Sequence, residues 1–367
     1  MSDRPDEPET LTDVPLPRAE APAAPPRLLT DPRFLLLVAG DGFAGLGRWA
    51  FFLAAVGDAT YVLHVSPARV ALLLGVFSLA LILASPLYGL LADRRSAKWL
   101  LVVTTAATVP VPLIALRTDS YAWLLVASAL FGALHAAVQP ARGALVPRLV
   151  HADRLVAANG MISGALAAQL VIGPALAALL VRLLGRDAPY IVTLGGAALA
   201  AIAYLFVPDR RAATSGRAAF LAEIAAGFRE GWRKIELRRL FFLAIAVWFL
   251  IGVLISLEPA YIREELGRGQ VFLGVVWAVY GGGEVVGAIG LARLRRAAGR
   301  EPQLVAGGLL LAALGFLVYV SVRSPVAVLA GNVVFGIGFP LFTATSQALI
   351  QRIAVAPGRV SAAFSMT

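Results

Sequence analysis

From Phe34 onward the chain reads as long apolar runs interrupted by short polar ones. The runs cover about 34–62, 68–91, 98–116, 121–146, 156–184, 188–207, 239–261, 270–292, 302–322 and 325–350, and an eleventh begins near Val360. Each is long enough to cross a hydrocarbon core of about 30 Å as a helix. In lipid the backbone must satisfy its own hydrogen bonds, which leaves only helices and closed barrels. Barrel strands would alternate polar with apolar residues, and these runs do not. The pattern therefore predicts an all-α transmembrane protein with about ten spans and the start of an eleventh.

Composition agrees, with 59% hydrophobic and 15% charged residues and a mean hydropathy of +0.80, against about 25% charged in soluble domains. The net charge of +10 does not point to nucleic acid, because the cations cluster between spans instead of forming a stripe. Most of the 32 Lys and Arg fall in the segments on the side of the N-terminus, which by the positive-inside rule places that terminus in the cytoplasm. The chain has no cysteine, so thiolate metal sites and thiol redox chemistry are excluded. Residues 1–33 lack an apolar signal core and read as a disordered cytoplasmic tail. Residues 208–238 form the longest internal polar stretch and divide the spans into a first set, 34–207, and a second, 239–367. Within that linker Phe220, Ile224, Phe228, Trp232 and Ile235 recur at helical spacing, the pattern of an amphipathic helix on the membrane surface.

An internal repeat relates the two sets. The segment "ALVPRLVHADRLVAANGM" (144–161) matches "ALIQRIAVAPGRVSAAFSM" (348–366) with one single-residue gap. Ala144, Leu145, Arg148, Arg154, Ala158 and Met161 recur as Ala348, Leu349, Arg352, Arg359, Ala363 and Met366. The expected unit is thus a six-span bundle present twice. Two spans follow Met161 in the first copy, whereas one residue follows Met366, so the second bundle is expected to be incomplete in this sequence.

With that frame, the stretch "YGLLADRRSAK" (88–98) becomes recognisable. Gly89, Asp93, Arg94 and Lys98 resemble the motif between spans 2 and 3 of the major facilitator superfamily, although Ser96 and Ala97 stand where Gly and Arg are common. The segments "LLADRR" (90–95), "LVPRLVHADRLVAANGM" (145–161) and "GPALAALLV" (173–181) are similar to its enterobactin-exporter-like efflux branch. Gly173 and Pro174 resemble an antiporter motif of span 5, with Ala177 and Ala178 in place of its usual glycine pair. The resemblance implies two six-helix bundles, alternating access and efflux. It also implies a cytoplasmic latch in which Asp93 meets the start of span 11 and an arginine at the end of span 4, best matched by Arg142. The second half has only cations at the equivalent place, "LARLRRAAGR", so the expected gate is asymmetric.

Ionisable residues within spans are expensive and mark the candidate transport path. Asp41 and Arg48 lie two turns apart on roughly one face of span 1, and Glu284 follows Gly281 to Gly283 near the middle of span 8, where small residues could admit water or substrate. His135 and Gln169 are further polar candidates. Either Glu284 or Asp41 exchanges a proton as the bundles rock, or the acids form an interhelical ion pair, with Arg48 as the available cation. Asp58 and Glu258 lie toward the outer ends of their spans and read as surface charges. There is no phosphate-binding Gly-x4-Gly-Lys-Ser/Thr loop, nucleophile with a base or metal cluster, so neither an enzyme nor a cofactor is expected. The reading is a monomeric inner-membrane transporter that exports a small amphipathic or hydrophobic solute against protons. The alternatives are an uptake or lysophospholipid-flipping facilitator, and a membrane scaffold or sensor that transports nothing.

Overall fold

The computed structural model describes residues 28, 31–94, 96–116, 120–208, 232, 234–293 and 300–354. Their helices form ten candidate membrane spans, by length and composition. Helix α1 (Pro32–Gly57) starts where the Asp31 carboxylate accepts from the Arg33 amide at 2.9 Å and Pro32 occupies the first turn, where its missing N–H costs nothing. It ends in a π-helical turn, Asp58–Val62. Helix α2 is Pro67–Arg94.

The third and fourth spans are each broken in two, which hydropathy alone does not reveal. The third comprises α3 (Ala97–Thr108) and α4 (Val111–Leu116), interrupted at Val109 and Pro110. The fourth comprises α5 (Tyr121–His135) and α6 (Val138–Leu149), interrupted at Ala136 and Ala137. Pro140 lies four residues past Ala136 and cannot donate to its carbonyl, so the ladder fails there. Helices α7 (Leu155–Leu184) and α8 (Ala188–Leu205) complete the first set and are separated by a turn in which Gly185 takes φ 92°. The second set holds α9 (Ile235–Glu264), α10 (Gln270–Arg293), α11 (Glu301–Ser321) and α12 (Pro325–Ala354). Helix α9 begins four residues before the expected span boundary at 239, and most of the 208–238 linker, including the residues of its expected amphipathic helix before Trp232, lies outside the described residues.

In the first set α1 packs against α8 and α7, and α2 against α5; in the second, α12 packs against both α11 and α10. The two sets meet chiefly through α7 and α10, and through α2 and α9. Outward faces carry large apolar side chains, among them Leu83, Phe249, Leu310 and Leu317, each more than half exposed. The buried positions include Asp41, Arg142, Gln169, Glu258 and Gln270. A polar interior within an apolar rim is the arrangement lipid demands.

Because lipid is as apolar as leucine, close packing has to hold the helices together, and small residues permit it. The α11–α12 seam uses two glycine pairs one heptad apart. A Cβ built on Gly338 would lie 2.6 Å from the Gly308 carbonyl and 2.6 Å from the Ala312 amide, while one on Gly331 would lie 2.6 Å from the Gly315 carbonyl. Gly290 of α10 has open space instead. Gly338→Val is therefore expected to cost about 1–3 kcal/mol through overpacking, lowering the melting temperature of the detergent-purified protein, while Gly290→Val leaves it unchanged.

Candidate functional site

The first-half candidates centre on one tight network, with Arg48 and His135 within electrostatic reach of its Arg142 and the loop motif apart from it. Asp41 of α1 is buried and accepts from Arg142 Nη1 of α6 at 3.0 Å and from the Tyr204 hydroxyl of α8 at 2.7 Å. Arg142 Nη2 also donates to the Gln139 side chain. Gln169 Nε2 of α7 donates to the Asp41 carbonyl at 3.0 Å. Gly45 clears room for the Gln169 side chain and Gly40 for the Tyr204 ring. Four helices thus meet at Asp41, two of them on its neutralised carboxylate and α7 on its carbonyl, the chemistry of an interhelical staple. The ion pair anticipated for an acid of this region thus forms with Arg142, not with Arg48.

Arg48 has no carboxylate partner among the described residues; its guanidinium lies 4.9 Å from the centroid of the Trp49 ring. His135 closes α5, stacks on Phe131 at 6.2 Å, and faces a small cavity inside the first half that also meets Thr105, Thr108 and Thr193. In the loop motif Gly89 is half-buried and the Lys98 ammonium lies 5.6 Å from the Trp99 ring centroid. The side chains of Asp93 and Arg94 lie outside the described residues. Arg142, the expected latch partner of Asp93, is held by Asp41 and Gln139.

In the second half Glu284 is half-buried and receives the Tyr280 hydroxyl from one turn earlier. Of the three glycines before it, Gly282 has open space and the other two serve packing. Gly281 abuts the Leu170 carbonyl of α7, and Gly283 abuts Val333 and Gly336 of α12. Glu258, expected at the surface, is 5% exposed. Trp277 Nε1 of α10 donates to Glu258 Oε2 at 2.7 Å and the Tyr319 hydroxyl of α11 to Oε1 at 3.1 Å. No cation forms an ion pair with it among the described residues. Sequence position pointed outward for this residue, and the one available signal was the hydrogen-bonding aromatics on neighbouring spans.

The halves are joined at the end where α1 stops. Arg263 donates to the Thr60 carbonyl, the Tyr61 hydroxyl to the Pro259 carbonyl at 3.3 Å, and Gln270 Nε2 to the Leu53 carbonyl at 2.9 Å. Thr60 lies in the last turn of α1, where carbonyls lack helical partners and the dipole favours a cation. Deeper in, Trp49 meets Trp277 edge-on at 6.4 Å. The motif residues Gly173 and Pro174 belong to this seam: a Cβ on Gly173 would lie 2.6 Å from Trp49 Cβ, and one on Gly274 would lie 3.1 Å from the Pro174 carbonyl. The α7–α10 seam continues to Leu170 and Gly281. One heptad further on, Ser163 and Ala288 are both exposed. Close contact between the two halves is thus concentrated toward the end of α1 and gives way to exposed residues toward its start.

Among the described residues no three His, Asp or Glu cluster with metal-binding geometry.

A family model described as Major Facilitator Superfamily matches residues 37–367. A curated relative, the MFS-type transporter YfiS of Bacillus subtilis (strain 168), is 24% identical over 262 residues, covering 69% of this chain and 62% of that protein. The chain therefore aligns with less than two thirds of that relative. Among solved structures, a bacterial homologue of the human lysosomal transporter Spinster, in an inward-facing and unoccupied conformation, aligns with a TM-score of 0.74 and 16% identity over 92% of this chain and 79% of that one. A mutant form of the nucleoside transporter NupG also aligns with a TM-score of 0.74, at 14% identity over 91% of this chain and 86% of that one. At these identities the likeness establishes the fold.

Removing one partner of the Asp41–Arg142 pair leaves a buried charge uncompensated, at a cost of about 3–5 kcal/mol. Asp41→Asn is expected to lower the melting temperature of the purified protein markedly, and the double variant Asp41→Asn with Arg142→Met to recover part of the loss in the same measurement.

Proposed function

The chain belongs to the Major Facilitator Superfamily, and from that premise we propose that it is a secondary transporter exporting a small amphipathic or hydrophobic solute against inward proton flow. The observation that carries the reading is the asymmetric seam between the halves, in close contact from Leu53 and Gln270 to Leu170 and Gly281 and with exposed residues beyond them at Ser163 and Ala288. A single central space open at one end is half of an alternating-access cycle; rocking the halves about this seam would supply the other half. With the N-terminus in the cytoplasm, as the positive-inside pattern favours, this state faces the cytoplasm and is ready to load an exported solute. The efflux direction draws support from the quoted segments' resemblance to the enterobactin-exporter-like branch. We assign the Asp93 latch, with Gly89, Arg94 and Lys98 around it, to the opposite state, in which the cytoplasmic end is shut.

Proton coupling falls to the carboxylates that lack cations. Asp41 is neutralised by Arg142 and serves structure. Glu284, half-buried on α10, can gain a proton without leaving an orphaned arginine, and so can Glu258. In inside-out vesicles carrying an imposed proton gradient, Glu284→Gln is expected to abolish gradient-driven solute uptake, while solute counterflow persists at saturating solute concentration. Full gradient-driven uptake by this variant would refute its assignment, and transport only in the opposite direction would favour an uptake facilitator.

Alternation also requires the far-end latch to open. Residues 1–367 hold no cysteine, so Leu53→Cys with Gln270→Cys creates the two thiols needed for a short bifunctional cross-linker. Cross-linking is expected to stop transport, and reversal by a cleavable reagent to restore it; transport that persists through complete cross-linking, read on gels, would sink the rocking model.

A further inference from the structure

Two charges without an ion-pair partner among the described residues, Arg48 and Glu284, stand on different halves. On α1, Gly45 and Trp49 meet α7 through Gln169 and Gly173, Phe52 meets Phe77 of α2 at 4.7 Å, and Gly47 and Phe51 face α8. Arg48 falls on the side of Gly45 and Phe52, turned from α8, and stands within electrostatic reach of Arg142 and His135, so an anionic group beside it would meet a cation-rich surrounding. Beside it the Trp49 Nε1 donor is buried with no hydrogen-bond partner. On α10, Trp277, Tyr280 and Glu284 occupy successive turns of one face, with the Tyr280 ring 5.7 Å from that of Phe335 and 6.3 Å from that of Phe339. Arg48 and Glu284 do not form an ion pair, and beside Arg48 the Trp49 ring meets Trp277, on the α10 face that carries Glu284, edge-on at 6.4 Å.

Resting on the transport reading above, we propose that this site binds a zwitterionic amphiphile, with its anionic or acceptor group on Arg48 and Trp49 Nε1 and its cationic group on Glu284. The aromatic rings of Trp277 and Tyr280 take the apolar part and add cation–π attraction for the cationic group. A ligand of single charge would answer one wall and leave the other charge uncompensated in a low-dielectric space. A zwitterion answers both and brings no net charge into the membrane. It also touches both halves at once, so loading draws the open end together. Protonation of Glu284 releases the cationic group, which makes proton and solute compete for one carboxylate.

The test is equilibrium binding of three six-carbon probes to the purified full chain in uncharged maltoside micelles, read by tryptophan fluorescence. Hexylphosphocholine is expected to bind more tightly than hexyltrimethylammonium or hexyl phosphate by about tenfold, the scale of one charge-assisted hydrogen bond. Arg48→Gln should erase its advantage over hexyltrimethylammonium, and Glu284→Gln its advantage over hexyl phosphate. Arg48→Lys and Glu284→Asp, which preserve sign, should keep the wild-type ranking and so separate lost charge from lost fold. A wild-type preference for either singly charged probe, or an unchanged zwitterion preference in both neutral variants, overturns the proposal. Binding needs no gradient, so its failure leaves the transport reading standing, whereas intact binding without vesicle transport would strike that reading alone.

Discussion

Every charge that this chain carries into the bilayer must be answered by the chain itself, and the degree to which each is answered organises the structure. Asp41 is met in full: a guanidinium at 3.0 Å, a phenol at 2.7 Å and an amide on its own carbonyl, from three other helices. Glu258 is met by neutral donors alone, at 2.7 and 3.1 Å. Arg48 has an aromatic face and Glu284 one hydroxyl. A fully neutralised pair holds a bundle rigid, because separating it would cost several kcal/mol. A carboxylate with only neutral donors can change its protonation without stranding a cation. The graded answer divides fixed parts from parts that can change state.

The same division appears in how the helices are joined. Within the second half, reciprocal glycine contacts between α11 and α12 bring backbones into contact along a heptad. Between the halves, the α7–α10 seam is shorter, and the closure at the end of α1 rests on three side chains reaching backbone carbonyls. Hydrogen bonds of this kind contribute about 0.5–1.5 kcal/mol each, or more where the donor is charged. That total matches what the differential binding of a solute or proton can supply. Small-residue packing holds each half together, and a modest latch leaves the relation between them adjustable.

Much of the fold was legible before any coordinates, because the ten spans are long, apolar and separated by charge, and lipid allows few other outcomes. The breaks at Val109–Pro110 and Ala136–Ala137 were not, since hydropathy is blind to one missing N–H. At the site, the sequence singled out Asp41, Arg48 and Glu284 as charges within spans, of which Asp41 is buried and the other two half-buried, but did not show their partners. Pairing is a three-dimensional property: Asp41 and Arg142 are 101 positions apart and meet only because α1 and α6 cross at that depth. Glu258 was misplaced because distance along a helix toward its outer end was taken as distance toward water. Here α10 and α11 cover that end of α9, so depth and burial part company.

The repeat in the sequence makes the chemical asymmetry of the halves informative. Two copies of one unit would be expected to place like charges in like positions. The described interior instead puts its neutralised pair, Asp41 and Arg142, and the unpaired Arg48 in the first half, and its unpaired carboxylates, Glu258 and Glu284, in the second. Helix geometry alone is satisfied by symmetric bundles, so the divergence has to answer a different demand. A proton needs a carboxylate free of cations, and an anionic solute group needs a cation free of carboxylates. Placed in one bundle, the two would neutralise each other as Asp41 and Arg142 do. Dividing them between halves that move relative to each other keeps both available and makes the gap between them a variable that loading can sense.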